Sequence, residues 1–235
     1  MSIEKFQSII KKIESASVFV LDASIPKRDY VGLDLSKNNA ALQMIDVSSS
    51  ADIDGYIKQH LKNKNGKVAY GGYLETRGLY QRSTYFKQQS SSLTERNIHL
   101  GLDLWTVAGT SVLSALDGEI HSFKNNLNHG DYGPTLILKH QIADFIFYTL
   151  YGHLSLASLS GLKIGKKIKQ GEMIAQLGTA EVNGDYSPHL HFQCILDIAN
   201  FSGDYPGVSS IETLAFYQNN CPNPNFLLGL DSLTK

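Results

Sequence analysis

Cysteine is scarce in this chain: Cys194 and Cys221 are the two it has in 235 residues. Two thiols without knuckle spacing exclude a disulfide framework and a cysteine-based metal knuckle, and they make reduced side chains in the cytoplasm the expectation. Cationic charge is not in excess either. Lysine and arginine number 21 against 22 acids, a formal net charge of -1, so the field that a phosphate backbone demands is missing and nucleic acid is excluded as a partner. No uninterrupted apolar run of ~18 residues occurs, so no transmembrane segment is expected. The N-terminal MSIEKFQSIIKKIESA places Ile3, Phe6, Ile9, Ile10 and Ile13 at helical spacing with charges between them. It reads as an amphipathic helix packed on a core and not as a secretory signal, which again points to the cytoplasm, with export by an unrecognised route as the alternative.

What is present is ordinary globular composition, 42% hydrophobic and 18% charged, sufficient for a sizeable core. Residues 1–65 read as an α/β N-terminal extension. After the first helix, VFVL (residues 18–21) predicts a short strand, residues 26–39 are turn-rich, and SADIDGYIKQHLKNKNG (residues 50–66) predicts a second helix. Its apolar face is Ile53, Tyr56, Ile57, His60 and Leu61, and Asn65 and Gly66 stop it. From residue 66 to residue 235 the pattern is β-rich. KVAYGGYL, HLGLDLW, TSVLSAL, GEIHSF, PTLILKH, FIFYTLYGHL, EMIAQLG and HLHFQCIL are short segments rich in β-branched and aromatic residues, separated by Gly, Asn, Asp or Ser clusters. PTLILKH and FIFYTLYGHL flank turn residues 141–144 and should form a hairpin, with His153 at the far end of its second strand.

Three segments carry chemistry. In HLHFQCIL, strand alternation turns Leu190, Phe192, Cys194 and Leu196 one way and His189, His191, Gln193 and Ile195 the other. The two imidazoles then stand ~6.6–7 Å apart, so that one can hold a metal while the other reaches the metal's water or the substrate. In HLGLDLW, His99 and Asp103 share a face opposite Leu100, Leu102 and Leu104, but a regular strand would hold them ~13 Å apart, too far for one ion. The chain must bend there, and Gly101 is the residue that makes a bend easy. A His/Asp pair plus one distant histidine makes the three-ligand, one-open-position pattern of a catalytic zinc. The third segment, YGHLS (residues 151–155), places His153 beside Gly152, well placed to look into a groove. No HExxH motif is present, so no glutamate of that type supplies a base.

The order of His99 and Asp103, then YGHLS, then His189 and His191, resembles the lysostaphin-type zinc metallopeptidases, which cleave amide bonds in bacterial peptidoglycan. The glycine-punctuated GLKIGKKIKQGEMIAQLG between the last two motifs is similar as well. The resemblance runs from about residue 97 to residue 198. It implies a mainly β fold, an antiparallel β-sheet metallopeptidase domain with the lysostaphin-like duplicated hybrid motif, here carrying the α/β extension. It implies one Zn2+ on His99, Asp103 and His191, catalytic histidines at His153 and His189 handling the protons, and a peptide or peptidoglycan-type substrate. Two other readings stay open: a cytoplasmic amide hydrolase acting on a small peptide or metabolite, and a noncatalytic binding module on the same scaffold. His140 reads as structural or as a supporting neighbour of the site, and His60, His121 and His129 as solvated or partly buried polar residues. Glu75, Arg77 and Arg82 in YLETRGLYQRS read as surface charge, with substrate binding by Arg77 and Arg82 as the functional alternative. GTAEVNGDYSPHLHF departs from the small-residue loop usual before the last motif by bringing Glu181 and Asp185 to the groove's rim.

Overall fold

A computed structural model describes residues 2–78 and 94–230. The N-terminal part contributes helix α1 (Ile3–Ile10), strand β1 (Tyr30–Gly32) and helix α2 (Ser50–Lys64). The chain continues through β2 (Val68–Gly71), β3 (Ile98–His99), β4 (Leu102–Trp105), β5 (Ser111–Leu113), β6 (Gly118–Asn126), β7 (Gly133–Ile142) and β8 (Phe145–Gly152). Then follow β9 (Lys167–Ile168), β10 (Met173–Gln176), β11 (His189–Ile195), β12 (Val208–Ser209) and helices α3 (Leu214–Asn220) and α4 (Asn225–Leu228). No helix among the described residues is long and apolar enough to cross a membrane.

Eight strands form the main sheet in the order β1-β2-β4-β11-β8-β7-β6-β9. Its pairs are antiparallel except β1 with β2, which run parallel and make the N-terminal part the sheet's edge. The β7–β8 hairpin closes at Ile142 opposite Phe145, with Ala143 at φ 53° in the two-residue turn. One sheet face carries the larger core. Leu190, Phe192, Cys194 and Leu196 of the last histidine segment pack there with Leu102 and Leu104, and α1 closes that core by setting Phe6 against Phe145 and Phe147. Helix α2 is capped by the Ser49 hydroxyl, ends on Asn65 at φ 52°, and buries Ile53 and Ile57 beside Trp105.

Two sequence expectations are corrected. VFVL is not a strand: Val18, Val20 and Leu21 are buried, but a single bridge, Leu21 to Val112, is formed because a 3-10 turn at Ser15–Ser17 and a turn from Asp22 to Ile25 bracket the segment. Leu100 does not share a face with Leu102 and Leu104. It packs in a separate cluster with Tyr132, Ile137, Leu150 and Ile195, because the chain changes sheets between β3 and β4.

Candidate metal centre and active site

The polar face of β11 meets that of β4 in fixed register, with His191 opposite Asp103 and His189 opposite Trp105. His99 arrives from β3, which pairs with β12 in a small second sheet. Gly101 sits at the crossover, where a Cβ would lie 2.6 Å from His191 Cε1 and 2.9 Å from the Phe192 carbonyl oxygen. Only glycine allows the chain to pass so close to the imidazole. Across the bend His99 Nε2 and Asp103 Oδ1 come within 3.3 Å of each other, which a straight strand with ~13 Å between the two residues would not allow.

Three donor atoms thus converge. His99 Nε2 lies 2.9 Å from His191 Nδ1, and Asp103 Oδ1 lies 3.2 Å from His191 Nδ1. The other nitrogen of each ring is already committed. His99 Nδ1 donates to the Gly72 carbonyl at 3.0 Å, and His191 Nε2 donates to Gln193 Oε1 at 2.9 Å. The Gln193 amide is held in that orientation because its NH2 donates to the Pro206 carbonyl at 3.1 Å and toward Cys221 Sγ at 3.3 Å. Two imidazole lone pairs and a carboxylate oxygen therefore face one another, an arrangement that repels itself unless a cation lies between them. The edges of this triangle fit zinc, whose ~2.0–2.1 Å tetrahedral bonds set ligand atoms ~3.3–3.4 Å apart. Protonation fits too. Burial pushes the Asp103 carboxyl up, but His99 and the Arg77 guanidinium outweigh it and hold the group well below the usual carboxylate range. Burial lowers His99 to about 4, so its ring is neutral at pH 7 and ready to act as a ligand.

Two further histidines face the same cavity. His153 follows β8 at φ 62°, a left-handed conformation that costs a non-glycine residue on the order of 1 kcal/mol. It is held there by hydrogen bonds from its N–H to the Tyr132 carbonyl and from Gly178 N–H to its own carbonyl, each 2.9 Å. Its Nδ1 donates to the Asn183 carbonyl at 2.7 Å, and His189 Nδ1 donates to the Ser187 carbonyl at 2.8 Å. The rings lie 4.1 Å apart between centroids. Burial lowers His189 to about 4, and burial followed by the neighbouring His189 and His191 rings holds His153 well below the histidine range. Both are neutral bases with Nε2 left for the cavity.

The structure brings His99, Asp103, His153, His189 and His191 together around one cavity of about 230 Å3. Arg77 reaches this cavity as well, but it is no surface charge. It is 3% exposed, its Nη1 bonds Asp103 Oδ2 at 2.6 Å and its Nε bonds Glu75 Oε2 at 2.5 Å. Fixed across Asp103, Arg77 aims the carboxylate's other oxygen at the metal centre. Arg82 lies outside the described residues. His140 is fully buried on β7, bonding the Asp117 carbonyl and Thr149 Oγ1, and so is structural. His60 bonds the Gly32 carbonyl and ties α2 to β1, His121 is partly buried, and His129 is exposed. Asp185 accepts from the Ser50 hydroxyl at 2.8 Å, whereas Glu181 is exposed. Sequence reasoning missed Tyr132, whose ring centroid stands 5.0 Å from that of His191, and Trp105, stacked on His189 at 5.7 Å. It also missed Leu35, Val47 and Ile53 of the N-terminal part, which line the cavity. No local signal marks these aromatic and aliphatic residues, since their role follows from distant packing.

Comparisons with known proteins find likenesses over this part of the chain. Residues 97–200 match peptidase family M23. The cell division protein DipM of Caulobacter vibrioides is 38% identical over 94 residues, which are 40% of this chain and 14% of DipM, so the likeness covers a small part of that protein. The catalytic domain of lysostaphin from Staphylococcus simulans is 25% identical, over 52% of this chain and 81% of that one, with a TM-score of 0.37. A zinc-containing peptidase from Vibrio cholerae is 29% identical, over 45% of this chain and 30% of that one, with a TM-score of 0.34. The family match spans His99, Asp103, His153, His189 and His191, so residues 97–200 are similar to peptidase family M23 across the whole of this candidate site.

Proposed function

We propose that this protein is a zinc-dependent endopeptidase that hydrolyses amide bonds in peptidoglycan-type peptides, with His99, Asp103 and His191 as metal ligands and His153 and His189 as its acid–base pair. The observation that carries the reading is the pairing of two neutral, backbone-anchored imidazoles beside a triangle of three metal donors. Zinc, when bound, supplies Lewis-acid polarisation of the scissile carbonyl and brings the pKa of a bound water toward neutrality.

The chain's own groups do the rest. Because burial keeps His153 and His189 unprotonated at neutral pH, an Nε2 of the pair accepts the proton of the attacking water. The same proton passes to the leaving nitrogen as the C–N bond breaks, so the amine departs neutral and the imidazole returns to its starting state. The Nδ1 bonds to Asn183 and Ser187 fix the tautomer that makes this possible. Trp105 and Tyr186 pack against the His189 ring and keep water from its faces.

The test is incubation of the zinc-loaded protein with purified peptidoglycan peptides, with detection of the new amine ends. Wild type is expected to release them, and His153→Ala to keep its zinc while losing turnover by ~10²–10⁴-fold. A zinc-loaded wild type that cleaves no such peptide, or a His153→Ala variant with unchanged turnover, would overturn the reading.

A further inference from the structure

Part of the cavity that holds the metal donors is built by residues outside the segment matched to the peptidase family. Leu35, Val47 and Ile53 line it, and they belong to one apolar cluster with Trp105, Tyr186 and Val208. Trp105 in turn stacks on His189, so one member of this cluster touches the histidine proposed to handle the proton. The patch is joined to the metal centre through two sets of bonds. On one side the Leu35 N–H donates to Glu75 Oε1 at 2.9 Å, Glu75 Oε2 receives Arg77 Nε, and Arg77 Nη1 bonds Asp103 Oδ2 at 2.6 Å. On the other, Ser50 Oγ donates to Asp185 at 2.8 Å and Ser187 Oγ to Asp54 at 2.8 Å, joining α2 to the loop that leads into His189. These bonds tie Leu35 and the first turns of α2, which carry Ile53, to the groups around the metal donors.

The chemistry of this surface is selective. A charged or strongly polar side chain pressed against Leu35, Val47 and Ile53 would give up water for aliphatic surface that offers it no hydrogen-bond partner. An aliphatic side chain would lose nothing and would cover apolar surface. The cavity, about 230 Å3, is smaller than the ~300–1,000 Å3 of pockets that enclose a whole drug-sized ligand, so it takes a short segment of substrate. We propose that Leu35, Val47 and Ile53 are a specificity wall that receives an aliphatic side chain of the substrate residue next to the scissile bond. That the occupant is a substrate residue rests on the peptidase reading given above.

The experiment measures binding, so that it does not depend on turnover. Glycine hydroxamate and leucine hydroxamate, which share a metal-binding head and differ in the side chain, are titrated calorimetrically into the zinc-loaded full-length protein. Leucine hydroxamate is expected to bind at least ~10-fold tighter than glycine hydroxamate. Val47 is partly exposed, and Val47→Asp is expected to bring that ratio to within about twofold of unity at unchanged zinc content. Val47→Thr, of nearly the same shape, shifts the ratio the same way by less and serves should the aspartate variant not fold. A wild-type ratio near one, binding of neither hydroxamate, or a ratio unmoved by both substitutions overturns the wall. A protein that prefers the leucine compound but cleaves no peptide retains the wall and loses the peptidase reading, and cleavage without the preference does the reverse.

Discussion

β11 carries His191 to the metal centre as an unbroken strand, whereas residues 98–105 carry His99 and Asp103 there by leaving one sheet after β3 and entering another at β4. In the unbroken strand the ligand's direction follows from alternation. Every second residue, from Leu190 to Leu196, helps to set it by packing into the larger core. In the broken segment no periodicity sets the direction. It depends on one residue without a side chain, Gly101, and on one buried cation, Arg77, that fixes the carboxylate. A ligand delivered by a regular element is thus supported by many small contacts, and one delivered by a bend is supported by a few large ones.

The largest expected effect comes from removing the cation of the broken segment. Arg77→Met leaves Asp103 and Glu75 without their buried partner and is expected to lower the stability of the metal-free protein by about 3–5 kcal/mol in urea unfolding. A loss below about 1 kcal/mol would show that the bend does not depend on it.

A histidine that serves only an unbroken strand provides the next contrast. Burial holds His140 at about 4, below the ~6.5 of an unfolded chain, so its contribution is complete above pH 6.5 and is lost as pH falls toward 4. The amount is about 3 kcal/mol. His140→Gln is expected to flatten the decline of wild-type stability across that window, and parallel pH profiles for the two proteins would contradict it.

Gly101→Ala comes next. Its Cβ would intrude on His191 and the Phe192 carbonyl, and overpacking of this kind costs about 1–3 kcal/mol. Because the atom displaced is a ligand's ring, zinc affinity should fall together with stability. An alanine variant with wild-type zinc affinity would mean that the bend tolerates a side chain. The smallest effect belongs to the unbroken strand's own support. Gln193→Leu removes the acceptor of His191 Nε2–H and is expected to weaken zinc by ~10–100-fold, and Gln193→Glu to restore it. Equal zinc affinity in all three proteins would remove Gln193 from the positioning of the ligand.

The same contrast governs what could be read from the amino-acid order. The two faces of HLHFQCIL were legible because alternation is local, and the β7–β8 hairpin because turn residues separate two apolar runs. The bend at Gly101 was legible through chemistry, since a single ion cannot bridge a straight segment. Its consequence for Leu100, which leaves the face of Leu102, was not, because the second sheet that receives it is built with β12, far along the chain. Arg77 looked like surface charge for the same reason, its partner Asp103 being 26 residues away. The wall of Leu35, Val47 and Ile53 carried no signal at all. Those residues look like ordinary core positions, and only the packing of the N-terminal part against Trp105 brings them to the cavity.

That three side chains from two differently built segments share one ion is tested most directly by metal analysis of the purified protein beside His191→Ala and Asp103→Ala. One zinc per wild-type chain is expected, with occupancy collapsing in both variants although one alters the unbroken strand and the other the bent segment. Full zinc occupancy in either variant would contradict the shared site.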